Sequence, residues 1–351
     1  MVPKAAAAAV LAVAATFLPF PPLSAQLASD DGVGPWTEAV VSVTDLEESA
    51  AWLVDHGGWR KVASGMLDAS EIAYWKLPSS VTGAFLRICA PQADEGCIRY
   101  VRFDGVEKQR PIRLAARPWD TGGIFSIMLR TEDARAAFDA AIARGWWAES
   151  QPYAFTFGGS DLVNVVIRGP HGVGYALYER KAPPFDGFPV GRLSRGFNAM
   201  RMVRDQPISV AYYRDLLGFG VLFDAPFTDP EPRSNNFSVP ANLATSLVRR
   251  AAALQPVLPG ETGRVEVMEF EGFVGRDLSR HASPPNLGIV SLRYPVEDLE
   301  AYLEALAGRG LAPDYESDAV TIPGIGPELA KTAIAAFRDP DGNLTEFYDA
   351  P

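Results

Sequence analysis

Histidine and cysteine are the scarcest chemistry-bearing residues of this chain, three and two among 351. His56 falls at the end of a helical pattern, His171 in a turn and His281 in a polar loop, places for surface or capping residues rather than imidazole ligands. No Gly-Xaa-Ser-Xaa-Gly elbow, phosphate loop, Cys-Xaa-Xaa-Cys pair or His-Glu-Xaa-Xaa-His helix occurs. The reactions those motifs serve therefore have no support here. Basic charge is short as well: 32 Lys and Arg stand against 43 Asp and Glu, a net charge of −11. An acidic surface repels polyanions, so nucleic acid is set aside as a partner.

Long apolar runs are absent except at the start. One positive charge at Lys4, an apolar stretch from Ala5 to Leu18, and small residues at Ser24 and Ala25 form the order of a secretory signal peptide, residues 1–25. Pro19, Pro21 and Pro22 break that stretch, which is short for a membrane span. The expectation is an exported protein, periplasmic or secreted, with no membrane span after cleavage. Cys89 and Cys97 then reside in an oxidising compartment, where they form either a disulfide or two buried thiols.

What is present is a fourfold repeat. Alternating strands end in Asp45, Asp133, Asp205 and Asp298, each followed by an amphipathic helix and then by Gly58, Gly145, Gly218 or Gly310. Thirteen residues separate Asp from Gly in the first and third copies, and twelve in the second and fourth. An Asp before a helix satisfies orphan backbone donors, and a Gly after it accepts a left-handed backbone. Lys181 to Val190, rich in Pro and Gly, reads as a linker. The expected division is 34–183, a linker at 184–193, and 194–351. Asp104 to Trp119 and Pro226 to Asn236 read as insertions.

Phe337-Arg338-Asp339-Pro340-Asp341-Gly342-Asn343-Leu344-Thr345-Glu346-Phe347 resembles the closing hairpin of the glyoxalase, bleomycin-resistance and extradiol-dioxygenase superfamily, the vicinal oxygen chelate (VOC) proteins. Val210 to Phe219 resembles its first helix. The resemblance implies an α+β fold of four βαβββ modules, forming two tandem glyoxalase-like domains with cupped mixed β-sheets. It also implies a divalent metal held on the first and last strands of the modules. The first-strand places here are Glu38, Ser126, Asn198 and Ser291. The last-strand places are Glu346, Ala176, and Glu269 or Glu266 according to which face points inward. In module one the same place offers Arg87 or Cys89.

No imidazole is among them. An all-oxygen set of Glu346, Glu269, Asn198 and Ser291 suits Mg, Mn or Ca better than Zn. Arg293 offers a competing arrangement, in which a guanidinium neutralises Glu346 in the place of the metal. By the same alternation Arg130 faces a cavity unpaired, free for an anionic group. Met200, Tyr178 and Tyr348 complete the expected pocket lining.

Three functions follow from these places. The first is an exported protein that binds a small molecule in a cupped sheet, its metal site degenerate. The second is a metal-dependent lyase, isomerase or dioxygenase acting through the second domain, with Glu346 or Glu269 moving protons. The third is a non-catalytic interaction module of the cell envelope. A monomer or homodimer is expected.

Overall fold

The computed structural model describes residues 31–185, 187–257, 260–325 and 331–350; the proposed signal segment lies outside them. Module one comprises β1 (Glu38–Ser42), α1 (Leu46–Asp55), β2 (Arg60–Met66), α2 (Ala69–Tyr74), β3 (Thr82–Cys89) and β4 (Cys97–Asp104). Module two comprises β5 (Ile124–Arg130), α3 (Ala134–Ile142), β6 (Trp147–Ala148), β7 (Tyr153–Phe157), β8 (Ser160–Arg168) and β9 (Gly174–Ala182). Module three has β10 (Gly196–Met202), α4 (Gln206–Ala211), β11 (Gly220–Phe227), β12 (Arg249–Gln255) and β13 (Arg264–Phe270). Module four has β14 (Gly288–Val296), α5 (Leu299–Gly308), β15 (Tyr315–Thr321), β16 (Lys331–Arg338) and β17 (Leu344–Asp349).

The repeated Asp residues cap their helices. The side chains of Asp45, Asp133, Asp205 and Asp298 accept from the backbone N–H of Glu48, Ala136, Ile208 and Ala301. Each such cap stabilises its helix by roughly 1 kcal/mol. Gly58, Gly145, Gly218 and Gly310 all take positive φ, from 74° to 85°, where a side chain would be strained. Cys89 and Cys97 are joined by a disulfide, with their Cα atoms 4.4 Å apart.

The strands form two sheets, ordered β15-β16-β17-β14-β1-β4-β3-β2 and β11-β12-β13-β10-β5-β9-β8-β6, with β7 paired to β8. Each sheet therefore takes one module from each half of the chain. β1 runs antiparallel to β14, with Glu38 opposite Arg293, and β10 antiparallel to β5, with Asn198 opposite Met128. The cups thus join module one with four and module two with three, crossing the division expected at 184–193. A periodic sequence shows which strand edges are alike but not which partner each edge takes.

The convex faces and the helices share one core. It gathers Trp52 and Tyr100 from module one, Leu129 and Tyr175 from two, Tyr213 and Val265 from three, and Leu292 and Phe347 from four. Burying a large apolar side chain of this kind stabilises the fold by about 1.5–3 kcal/mol. Polar links cross the same layer. The hydroxyls of Tyr100 and Tyr175 lie 2.8 Å apart, and Tyr213 donates to Asp339 Oδ2 at 2.7 Å. The concave faces carry separate clusters, so the two cups are chemically independent.

Candidate functional site

Parallel pairing fixes which residues share a cup. Arg293 lies beside Glu346, and the matching pairs are Val40 with Arg99, Met128 with Ala176, and Met200 with Glu266. The Arg293 cup consequently contains Glu38, Arg99, Ser291 and Glu346. The Glu266 cup contains Ser126, Ala176, Asn198 and Glu266. The expected set of Glu346, Glu269, Asn198 and Ser291 is not brought together, because Asn198 belongs to the other sheet.

Glu269 points away from the cup and accepts from the backbone N–H of Gln206 at 2.9 Å, so Glu266 takes the inward place. In module one that place is Arg99, on the strand that begins at Cys97, rather than Arg87 or Cys89 on β3.

The Arg293 cup is filled by its own charges. Arg293 meets three carboxylates: Glu346 through Nε at 2.5 Å, Glu38 through Nη1 at 3.0 Å and Glu71 through Nη2 at 2.9 Å. Arg99 Nη2 meets Glu71 at 3.0 Å, and Arg87 Nε meets Glu38 at 2.9 Å. Trp75 donates its indole N–H to the second Glu346 oxygen at 3.0 Å, and Arg99 also donates to the Pro323 carbonyl. Three guanidiniums thus balance three carboxylates. All but Arg87 are fully buried, and the Arg87 side chain is only 10 % exposed.

Burial alone would raise the Glu38 carboxyl; Arg99, Arg293 and Arg87 outweigh it and hold it below its ordinary value. Burial likewise opposes the charge on Arg293, yet Glu346, Glu71 and Glu38 raise it well above the usual value. Ser291 is buried beside this network with its hydroxyl unpartnered. Tyr348 donates to Thr37 at the cup edge. The expected Arg293–Glu346 pair is present, extended by Glu71, Trp75 and Arg99. Glu71 and Trp75 sit on and after α2, too short a helix for periodicity to expose.

The Glu266 cup differs in both contents and access. Met128, Met200, Met202 and Met268 floor it, together with Phe125, Phe197, Phe237 and Phe270. Its polar atoms are sparse. Asn198 donates to Glu266 at 3.1 Å, while Asn198 Oδ1 and Ser126 Oγ are buried without a partner. Glu266 keeps some contact with solvent, but protein surrounds it closely. Burial raises its carboxyl to about 7, against the opposing effects of the Asn198 hydrogen bond and the Arg264 charge. Glu266 is also near enough to Tyr178 for its charge to help raise that phenol, after burial.

Tyr178 and Arg130 open onto a cleft of about 370 Å³ walled by the linker residues Pro184, Phe185, Phe188 and Val190. Arg130 is paired, contrary to expectation. Its Nη2 reaches Glu261 at 3.0 Å, from a loop that alternation along β5 did not reveal.

The fold implies a divalent metal, but neither donor set fits one. In the first cup all three carboxylates are held by guanidiniums, and Arg99 stands at a ligand place. In the second, Ala176 and Ser126 accompany a single carboxylate whose affinity for a proton is raised, a poor match for a hard cation. No cluster of three His, Cys, Asp or Glu side chains suited to a metal occurs among the described residues. No helix there is long and apolar enough to cross a membrane.

Residues 198–347 match the model of the Glyoxalase/Bleomycin resistance protein/Dioxygenase superfamily. Glyoxalase I from Zea mays is similar in fold, with a TM-score of 0.56, 17 % identity, and coverage of 90 % of this chain and 92 % of that one. A putative dioxygenase from Bacillus subtilis subsp. subtilis str. 168 gives a TM-score of 0.53 at 12 % identity, covering 92 % and 86 %. No curated protein matches the chain in sequence. Residues 198–347 therefore carry a domain of the glyoxalase/bleomycin resistance protein/dioxygenase superfamily, and the two curled mixed sheets of βαβββ modules extend that fold over the described chain.

Proposed function

We propose that the protein is an exported small-molecule binding protein that uses the Glu266 cup and not the Arg293 cup. The contrast between the cups carries this reading. One is sealed by a closed network of three guanidiniums and three carboxylates. The other holds buried polar atoms without partners among methionine and phenylalanine side chains, and Arg130 and Tyr178 of its strands line a cleft. Pockets of this kind, mostly apolar with a few convergent polar groups, suit small organic ligands. Export is supported by the N-terminal charge, apolar run and small-residue site, and by the disulfide between Cys89 and Cys97.

Hydrogen exchange with and without a bound small molecule tests the site. Protection is expected in β9 and the linker, with α2 and β15 unchanged. Protection confined to α2 and β15 would refute the choice of cup.

A further inference from the structure

We propose that the cleft under the linker selects a monoanionic small molecule, a carboxylate with an apolar body, and that Arg130 and Arg180 together read its charge. This rests on the reading of the Glu266 cup as a small-molecule site and names the class of ligand. Both guanidiniums line the cleft and stack on the same ring. Arg130 lies 3.9 Å and Arg180 5.2 Å from the Phe185 centroid, and Arg130 also lies 4.3 Å from that of Phe197. Stacking fixes the plane of a guanidinium and leaves its N–H edge to recognise an acceptor. Yet the Nε of Arg130 and the Nε of Arg180 are both buried with no acceptor. A buried donor left unpaired is costly, so two of them at one cleft mark the place of an absent acceptor.

The nearby carboxylates do not fill that place. Glu261, about half exposed, is shared between Arg130 at 3.0 Å and Arg264 at 3.3 Å. Glu179 pairs with Lys181 and accepts from the backbone N–H of Ala134. Arg180 donates to the Ser160 hydroxyl at 2.7 Å and has no carboxylate partner among the described residues. Of the described residues lining the cleft, Arg130, Arg180 and Lys181 are positive and Glu132 and Glu179 negative, an excess of one positive charge. One such excess suits a carboxylate better than a phosphate dianion. Arg130 also shows the crowding of like charge. Burial, then Arg264 and Arg180, draw it down to about 10 against the opposing pull of Glu261. The rings of Tyr178, Phe185 and Phe188 offer an apolar wall to the rest of the ligand.

Calorimetric titration of the full-length protein with benzoate and phenylacetate, their primary amides, and phenyl phosphate tests this. Each carboxylate is expected to bind at least about tenfold more tightly than its amide, the scale of one charge-assisted hydrogen bond. Arg130→Gln should bring the pair to within about twofold, and Arg180→Gln should narrow the ratio. Glu261→Gln, which removes a competing carboxylate, should tighten carboxylate binding and leave the amide unchanged, a gain that misfolding would not produce. Equal wild-type affinity for carboxylate and amide, or phenyl phosphate as the tightest probe, overturns the proposed class while the binding site stands. A carboxylate preference that survives both arginine substitutions overturns the assignment to Arg130 and Arg180. Absence of binding by every probe at millimolar concentration overturns this inference and the binding function together.

Discussion

Glu346 and Glu266 occupy the same place in their modules and have opposite surroundings. Glu346 is held by Arg293 and Trp75, whereas Glu266 has only the Asn198 amide and a distant Arg264. Their responses to pH differ accordingly. The folded carboxyl of Glu266, at about 7, lies above its ordinary 4.5, so the folded chain binds that proton more readily than the unfolded chain. Its contribution to stability is complete below about 4.5 and is lost as pH rises through about 7. Glu266→Gln should therefore raise the melting temperature at pH 8 by about 2 °C or more and change little at pH 5. A uniform shift at both pH values would contradict this assignment. Glu38 works in the other direction. Its carboxyl is held below 4.5, so its contribution is present above that value and lost as pH falls through the folded one.

At this scale the sequence was partly legible. The family resemblance placed Glu346 in the cup, and alternation placed Arg293 against it. Arg99 escaped notice because its strand begins directly at Cys97, and Glu261 because a loop has no periodicity.

Among the elements, α2 decides the difference between the cups. Six residues long, it delivers Glu71 to Arg99 and Arg293 and is followed by Trp75 at Glu346. β15 packs against it, with the Thr321 N–H donating to the Ser70 hydroxyl at 3.0 Å. The Glu266 cup is covered instead by the loop after β11, where Asn236 donates to Asn164 and Phe237 packs on Phe125 and Phe270.

Buried ion pairs contribute little net stability but are costly to break from one side. Arg293→Met should cost about 3–5 kcal/mol in urea unfolding, because three carboxylates lose their shared partner. The same variant should bind carboxylates as wild type does wherever it remains folded, since Arg293 lies outside the Glu266 cup. A loss below 1 kcal/mol, on the order of a surface pair, would show that the network is not closed as described. The helices after the four capping Asp residues were visible through Asp-to-Gly spacing and apolar faces, α4 being continued by a π-helical segment over Tyr212–Leu216. α2 was not, because a helix of under two turns shows no period, and its role rests on contacts distant in sequence.

On the scale of the molecule, the repeat was legible in the sequence and the choice of partner for each module was not. Four modules of like spacing permit either neighbours in sequence or neighbours across the halves to share a sheet. The observed pairing depends on edges: β1 on β14 and β5 on β10. The two sheets also approach closely, as where the Gly196 N–H donates to the Gly96 carbonyl at 2.9 Å. Neither half then completes a cup alone: separated, the first exposes an edge of β1 and of β5, and the second an edge of β10 and of β14.

Residues 26–183 and 194–351, expressed apart, should therefore self-associate or aggregate. Co-expressed, they should form a one-to-one complex in which both sheets are restored. Sedimentation of each half checks this. A soluble monomeric half with a cooperative unfolding transition would mean that cups close within a half and that the crossed pairing is dispensable. If the crossed pairing holds, the linker has two roles: it carries the chain from module two to module three within one sheet, and it walls the cleft where Phe185 meets Arg130 and Arg180. That complex, which lacks Phe185 and Phe188, should then bind carboxylates more weakly than the intact chain.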